Sequence, residues 1–181
     1  SRGGVLLIPA PPPHPSGLPE EELLRDVQVE QTRGSGPGGQ HRNRVATEIR
    51  LTHKPTGIRG AAGERRQSKD NRRMALFRLR LNLALNFRIE HQEIEPPAPA
   101  SFQASELWSE RVRASKIACN SEHHDFPALL AEALDTLAWY GDDHKRAAVA
   151  LGISNSQFLK FIGKAPKALA DYRSRTKASK G

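Results

Sequence analysis

Apolar and polar positions alternate twice in the first third of the chain. Val27-Gln28-Val29-Glu30 opens a run to Arg33 that predicts a strand. Val45, Thr47, Ile49 and Leu51 alternate with Ala46, Glu48, Arg50 and Thr52 and predict a second. Between them lies Gly34-Ser35-Gly36-Pro37-Gly38-Gly39-Gln40-His41-Arg42-Asn43-Arg44. Four glycines and a proline within six residues suit neither a regular helix nor a core strand. His53-Lys54-Pro55-Thr56-Gly57-Ile58 places Pro and Gly where a turn needs them. Ile58 to Ala61 gives a short third strand, and residues 63–71 a polar, basic connection. Residues 71–89 satisfy both periods. Phe77, Leu79, Leu81 and Leu83 alternate as in a strand, whereas Leu76, Leu79, Leu83 and Phe87 form a helical stripe. The run is long, lacks Gly and Pro, and is rich in helix formers, which decides for a helix.

The flanks read differently. Residues 1–17 form a Pro-rich tract, expected to be extended and disordered. Pro19 starts a short helix with Glu20, Glu21 and Glu22 in its first turn. Residues 93–103, with Glu95-Pro96-Pro97-Ala98-Pro99, predict a rigid linker. Beyond it the pattern is helical throughout. One helix is expected over 104–119, and a second is capped by Asp125 and closed by Gly141. A third is capped by Asp142, a fourth opens at Ser154-Asn155-Ser156-Gln157, and a fifth starts at Pro166. Ala148-Val149-Ala150-Leu151-Gly152-Ile153-Ser154 fits the corner of a helix-turn-helix and fits an ordinary tight helix corner equally well. The fold class expected is α+β: a small mixed sheet with a long helix over residues 18–92, then an all-α domain over 104–181.

Charge narrows the partner. Formal net charge is +8. Residues 33–90 carry 14 Lys/Arg against 4 Asp/Glu, while residues 101–181 carry 12 against 9. Basicity concentrated around the Gly-rich loop points to a nucleic acid rather than to general solubility. Cys119 is the only cysteine, so no intrachain disulfide forms, which fits a reducing compartment. No apolar run approaches the length of a membrane span.

Strand, Gly-Ser-Gly-Pro-Gly-Gly-Gln-His-Arg-Asn-Arg, strand, Pro55-Thr56-Gly57-Ile58, then Glu64-Arg65-Arg66-Gln67-Ser68-Lys69-Asp70-Asn71-Arg72 and a long helix resembles the catalytic domain of class I peptide-chain release factors. The resemblance covers residues 18–90 and rests on three motifs in order. It implies ribosome-dependent hydrolysis of the ester joining a nascent peptide to tRNA. The catalytic residues would be Gly38, Gly39 and Gln40. The Gln40 backbone N–H would stabilise the oxyanion, its side chain would admit water, and the two glycines would allow the turn. His41, Arg42, Asn43, Arg44, Arg65, Arg66, Lys69, Arg72 and Arg73 would contact RNA, with Arg50 and Lys54 as further phosphate contacts. No cofactor or metal is implied. The implied partners are the peptidyl-transferase centre of the large ribosomal subunit, P-site peptidyl-tRNA and rRNA. A release-factor glutamine methyltransferase joins them if Gln40 is methylated, as it is in much of the family. A cytoplasmic monomer is expected.

There are departures. Many family members carry Val where Arg42 stands, and a β-branched strand where Arg59-Gly60-Ala61-Ala62 stands, a change expected to loosen the third strand. No codon-reading domain fits in the residues before the first strand. The expectation is therefore a short, codon-independent, ribosome-rescue type of hydrolase. The alternative is a non-catalytic RNA- or ribosome-binding factor using the helical domain. A DNA-binding regulator led by residues 142–163 is disfavoured by the modest charge there. His123-His124-Asp125 resembles a metal cluster, but adjacent histidines before a helix cap read better as solvated, with no spaced Cys/His set to complete a site. Gly34-x-Gly36-x-x-Gly39 matches a dinucleotide fingerprint only formally, because the helix and parallel strand it requires are missing.

Overall fold

A computed structural model describes residues 13–33, 47–91 and 95–181. The sheet is an antiparallel meander of β1 (Val27–Arg33), β2 (Thr47–His53) and β3 (Arg59–Ala62). Its register pairs Val29 with Leu51, Gln31 with Ile49 and Arg33 with Thr47. Cross-strand partners share a face, so Val27, Leu51, Ile49 and Ala62 turn one way, toward α2 (Ser68–Asn86). That face meets Ala75, Leu79 and Leu83, with Leu23 of α1 (Glu20–Arg25) closing one end. The helix lies over β2 and β3 and leaves β1 as an outrigger, where Val29 is 45% exposed on the core-side face.

The third strand is not loosened by its small residues. A Cβ on Gly60 would lie 2.2 Å from the Leu79 nitrogen and 2.5 Å from the Ala75 oxygen. Glycine here lets the backbone of α2 rest directly on β3, an approach that any side chain would block. The polar register continues the seam, with Arg78 donating to the Ala61 carbonyl and to both oxygens of Glu64.

The helical region also forms, with changes. α3 (Glu106–Arg111) is capped by the Ser105 hydroxyl, and ends where a hairpin begins. β4 (Val112–Arg113) pairs with β5 (Lys116–Ile117). The helix expected over 104–119 is thus cut short by a two-residue turn, in which Ala114 and Ser115 take positive φ of 49° and 61°. Such turns usually contain Gly or Asn, and neither marks this one. α4 (Phe126–Trp139) is the central helix, burying Phe126, Leu129, Leu130, Leu134 and Leu137. Asp125 stands at its N-cap position, yet its carboxylate goes to Arg111 at 2.6 Å instead of capping. Asp143 rather than Asp142 caps α5 (His144–Ala150), accepting from the Lys145 and Arg146 amides. Asp142 has φ +62° and pairs with Arg175. Gly152, at φ +71°, turns the chain into α6 (Asn155–Ile162), and α7 (Pro166–Ala178) follows.

The described parts of both Pro-rich segments are more ordered than their composition suggests. Pro15–Gly17 forms a 3-10 turn wedged between α2 and α4, where it buries His14 and Ser16. His14 donates from Nε2 to the Phe87 carbonyl at 2.9 Å and accepts the Ser16 N–H on Nδ1. Arg80 reaches back to the carbonyls of Ser16 and Leu18. The disorder expected over residues 1–17 therefore does not extend to 13–17, because two buried side chains and one arginine hold that part. Pro99–Ser101 is a second 3-10 turn laid against α5. The Tyr140 hydroxyl donates to Pro97, and Phe102 meets the edges of Trp139 and Tyr140. Residues 95–103 of the expected linker form a packed strap on the helical region.

α2 joins the two regions. One side covers the sheet, while Leu81, Ala84 and Leu85 enter the core built on α4. At its end Arg88 pairs with Asp135 at 2.9 Å, and burial pushes the Asp135 carboxyl up to about 6 against that pull.

Candidate functional site

Residues 34–46 connect β1 to β2. They lie outside the described residues, and with them Gly38, Gly39, Gln40, His41, Arg42, Asn43 and Arg44. What the structure describes is the base from which this loop departs. Arg33 and Thr47 are paired across the ladder, so the loop starts and ends at one point of the sheet.

Both arms of that base are tied to the first turn of α2. On the β1 side, the Gln31 amide donates to the Ser68 hydroxyl at 3.4 Å. On the β2 side, the tie is Asn71. This side chain is 0% exposed, and its Nδ2 donates to the Thr47 carbonyl at 3.0 Å and to the Arg65 carbonyl at 3.0 Å. Its Oδ1 accepts the Arg65 N–H at 2.9 Å. A buried amide with both donors and its acceptor engaged is a specific joint, because losing any partner would strand a polar group away from water. Asn71 thus fixes three things together: the second arm of the loop, the Arg65-Arg66 turn, and the start of α2.

The cations sort by position. Arg65, Arg66, Lys69, Arg72 and Arg73 are all exposed and make no ion pair among the described residues. They cluster around the Asn71 joint, at the base of the loop. Further along α2 the arginines are committed internally: Arg78 to Glu64 and Ala61, Arg80 to the N-terminal segment. Arg78 holds the Glu64 carboxyl below its ordinary range. Lys54 is exposed beside the β2–β3 turn. Arg50 faces Glu30 at 3.9 Å and Glu48 at 3.5 Å on the polar face of the sheet, so its charge is partly answered within the protein.

Other candidates behave as follows. His123, His124 and Asp125 do bring their ligand atoms within 4.8 Å of one another. Asp125 is already bonded to Arg111, and the His123 Nδ1 accepts the Asp125 N–H, so a cation is opposed by a guanidinium and by a committed imidazole atom. Cys119 is buried, and burial pushes its thiol up, away from the reactive range. A cavity of about 810 Å³ opens between α2 and the helical region, lined by Leu18, Phe77, Leu81 and Leu107. Of the cations at the loop base, Arg73 alone reaches its walls. Among the described residues, no helix is long and apolar enough to cross a membrane.

An antiparallel meander crossed by one helix, with a Gly-rich sequence joining its first two strands and cations clustered where that sequence leaves the sheet, defines a small α+β domain. A family model for the RF-1 domain matches residues 22–125, more than half of the chain. The chain belongs to the RF-1 domain family. It is 39% identical over 105 residues to peptide chain release factor 1 of Bartonella tribocorum, covering 53% of this chain and 28% of that protein. It is 33% identical over 126 residues to peptide chain release factor 1 of Streptococcus thermophilus, covering 66% of this chain and 35% of that protein. The corresponding protein of Latilactobacillus sakei is 33% identical over 101 residues, or 56% of this chain and 28% of its own. The matched part therefore spans about a third of the relatives' length or less. No solved structure matches.

The residue that sequence reading passed over is Asn71. It stands inside the motif Ser68-Lys69-Asp70-Asn71-Arg72 among charged neighbours, and looks like one more surface polar residue. The only signal available was its place in the first turn of a helix whose apolar stripe begins at Ala75.

Proposed function

We propose that this chain is a ribosome-dependent peptidyl-tRNA hydrolase of the release-factor type, acting without a stop codon on stalled ribosomes. The observation that carries the reading is Gly38-Gly39-Gln40 in the loop between paired strands, in a chain that belongs to the RF-1 domain family. Supporting it, the described base of that loop is jointed to a helix start whose exposed arginines and lysine suit phosphates.

The chemistry is acyl transfer to water. Attack on the ester carbonyl puts negative charge on its oxygen, and a backbone N–H already in place costs no reorganisation at that moment. The Gln40 N–H is assigned that role. Gly38 and Gly39 give the main chain room to present it, and the Gln40 side chain favours water over bulkier nucleophiles. Arg65, Arg66, Lys69, Arg72 and Arg73, with His41, Arg42, Asn43 and Arg44, hold rRNA and tRNA phosphates so that the loop reaches the P-site ester. The protein's own described groups offer no triad in this place, and the ribosome supplies the remaining groups. The protein works as a cytoplasmic monomer, and Gln40 is the point at which a glutamine methyltransferase would act.

Codon independence is part of the same proposal, and beside the loop-bearing unit the described residues hold a helical region packed on α2. The test is peptide release from ribosomes stalled at the end of an mRNA lacking a stop codon. Wild-type protein is expected to release the peptide, and Gly39→Ala and Gln40→Ala to bind with unchanged affinity while releasing about 100-fold more slowly or worse. Equal release by parent and variants would overturn the catalytic assignment. Release only when a stop codon is present would overturn the codon-independent part alone.

A further inference from the structure

The β4–β5 hairpin supplies a surface that the helical pattern had hidden. The Ser154 N–H at the start of α6 donates to the Ser115 carbonyl at the hairpin tip, at 3.1 Å. At the other end of α6, the Lys164 ammonium donates to the Cys119 carbonyl just beyond β5. These two contacts bracket the helix, so the strand and its continuation run alongside α6 from one end to the other. Ile117 turns inward and is buried, while Arg113 and Lys116 are exposed. Lys160 is exposed on the adjoining helix, as is Lys164.

The charge of this surface is one-sided. Residues 112–121 contain no Asp or Glu, and neither do residues 144–170. Arg113, Lys116 and Lys160 make no ion pair among the described residues. Elsewhere on the helical region Arg111 is answered by Asp125, Lys167 by Asp171 and Arg175 by Asp142, while Lys145, Arg146, Arg173, Lys177 and Lys180 make no ion pair among the described residues. α6 alone, with Lys160 as its one cation and Lys164 just past its end, is too weakly charged to hold a nucleic acid. The hairpin adds Arg113 and Lys116, cross-strand partners, beside that helix.

We propose that the β4–β5 hairpin and α6 together form an RNA-binding surface, one that grips the phosphates of structured ribosomal RNA. Only the word ribosomal rests on the function proposed above. Exposed, unpaired cations neutralise a phosphate backbone and release its counterions, which gives affinity without sequence choice. The short polar side chains of Ser154, Asn155 and Ser156, all exposed beside the tip, can hydrogen-bond phosphate or ribose oxygens.

The experiment compares two full-length variants of equal charge change. One is Arg113→Glu/Lys116→Glu/Lys160→Glu. The control, Arg173→Glu/Lys177→Glu/Lys180→Glu, reverses exposed cations at the end of α7. Both are checked for an unchanged melting temperature, then titrated against isolated large ribosomal subunits and against an RNA duplex of about 16 base pairs. The hairpin variant is expected to bind both probes about tenfold or more weakly, with a shallower salt dependence, while the control stays near wild type. Equal losses in the two variants, or none in the first, would overturn the surface. Loss of subunit binding with duplex binding intact would point to an acidic protein and overturn the RNA assignment. If wild-type protein releases no peptide yet the hairpin variant alone loses RNA binding, the proposed catalytic function falls and this surface stands.

Discussion

The loop-bearing unit and the helical region are built to different standards. The first is a three-stranded sheet under one helix, and its buried core among the described residues is eight residues, three of them Ala or Val. The second packs Trp108, Phe126, Phe158 and Phe161 around α4, with Trp108 also hydrogen-bonded to the Leu151 carbonyl. A core as thin as the first makes a marginal domain by itself. It is completed by α2, which turns its second side into the larger core through Leu81, Ala84 and Leu85. The lesson is a division of labour. The unit that presents the loop is held in shape by close backbone approach and by one buried amide, and it draws bulk stability from a neighbour.

The sharpest way to break that contrast is at Gly60. Gly60→Val should destabilise the protein by about 3 kcal/mol or more, because the new side chain meets helix backbone that has nowhere to go. Chemical denaturation measures this, and a loss under 1 kcal/mol would mean that α2 sits less tightly on β3 than described. The next effect is at Asn71. Asn71→Ala strands the Thr47 and Arg65 groups that it satisfies and should cost about 2–4 kcal/mol. Trypsin cleavage at Arg42 and Arg44 should accelerate in this variant, while cleavage at Lys160 and Lys164 should not. Equal acceleration at both places would show a global loss in place of a joint at the loop base.

A smaller effect comes from pH, at the seam between the two regions. Burial lowers the His14 imidazole from 6.5 to about 4. Between those values the unfolded chain takes a proton that the folded chain refuses, so this group removes stability as pH falls from 6.5 toward 4. Asp135 acts in the opposite sense. Its carboxyl is raised from 3.8 to about 6, so the folded chain takes the proton first and gains stability as pH falls through that window. The two nearly offset between pH 6 and 4. Asp135→Asn removes one side of the balance. Thermal melting of that variant should show stability falling on acidification relative to its own value at pH 7, more steeply than in the parent. Parallel curves would show that Asp135 does not titrate as the burial implies.

Legibility in the sequence follows the same division. The strands, the Gly-rich loop and the long helix were readable because alternation, glycine content and run length are local signals. The β-branched pattern missing from Arg59-Gly60-Ala61-Ala62 suggested a weak strand, since close approach of a helix backbone is a tertiary fact that no local pattern reveals. The hairpin at 112–117 was hidden because Ala114 and Ser115 adopt positive φ without Gly or Asn to announce it. Asp142 and Asp143 are adjacent aspartates that composition cannot separate, and Asp143 is the one that caps α5. His14 and Pro97 lie in Pro-rich stretches whose composition speaks for extension, and only partners far along the chain, Phe87 and Tyr140, hold them down. At the candidate site, Gly38-Gly39-Gln40 was legible as a motif, whereas Asn71 required the Thr47 and Arg65 carbonyls to be seen around it.

The proposed division gives the chemistry to Gly38-Gly39-Gln40, with the helical region adding to the RNA grip of the loop base. The direct measurement is the single-turnover rate of peptide release from ribosomes lacking a stop codon, taken across a range of protein concentrations. Gln40→Ala should lower the maximal rate about 100-fold and leave the half-saturating concentration in place. Arg113→Glu/Lys116→Glu/Lys160→Glu should raise the half-saturating concentration about tenfold and leave the maximal rate in place. Both variants changing the same parameter, or neither changing any, would contradict the division.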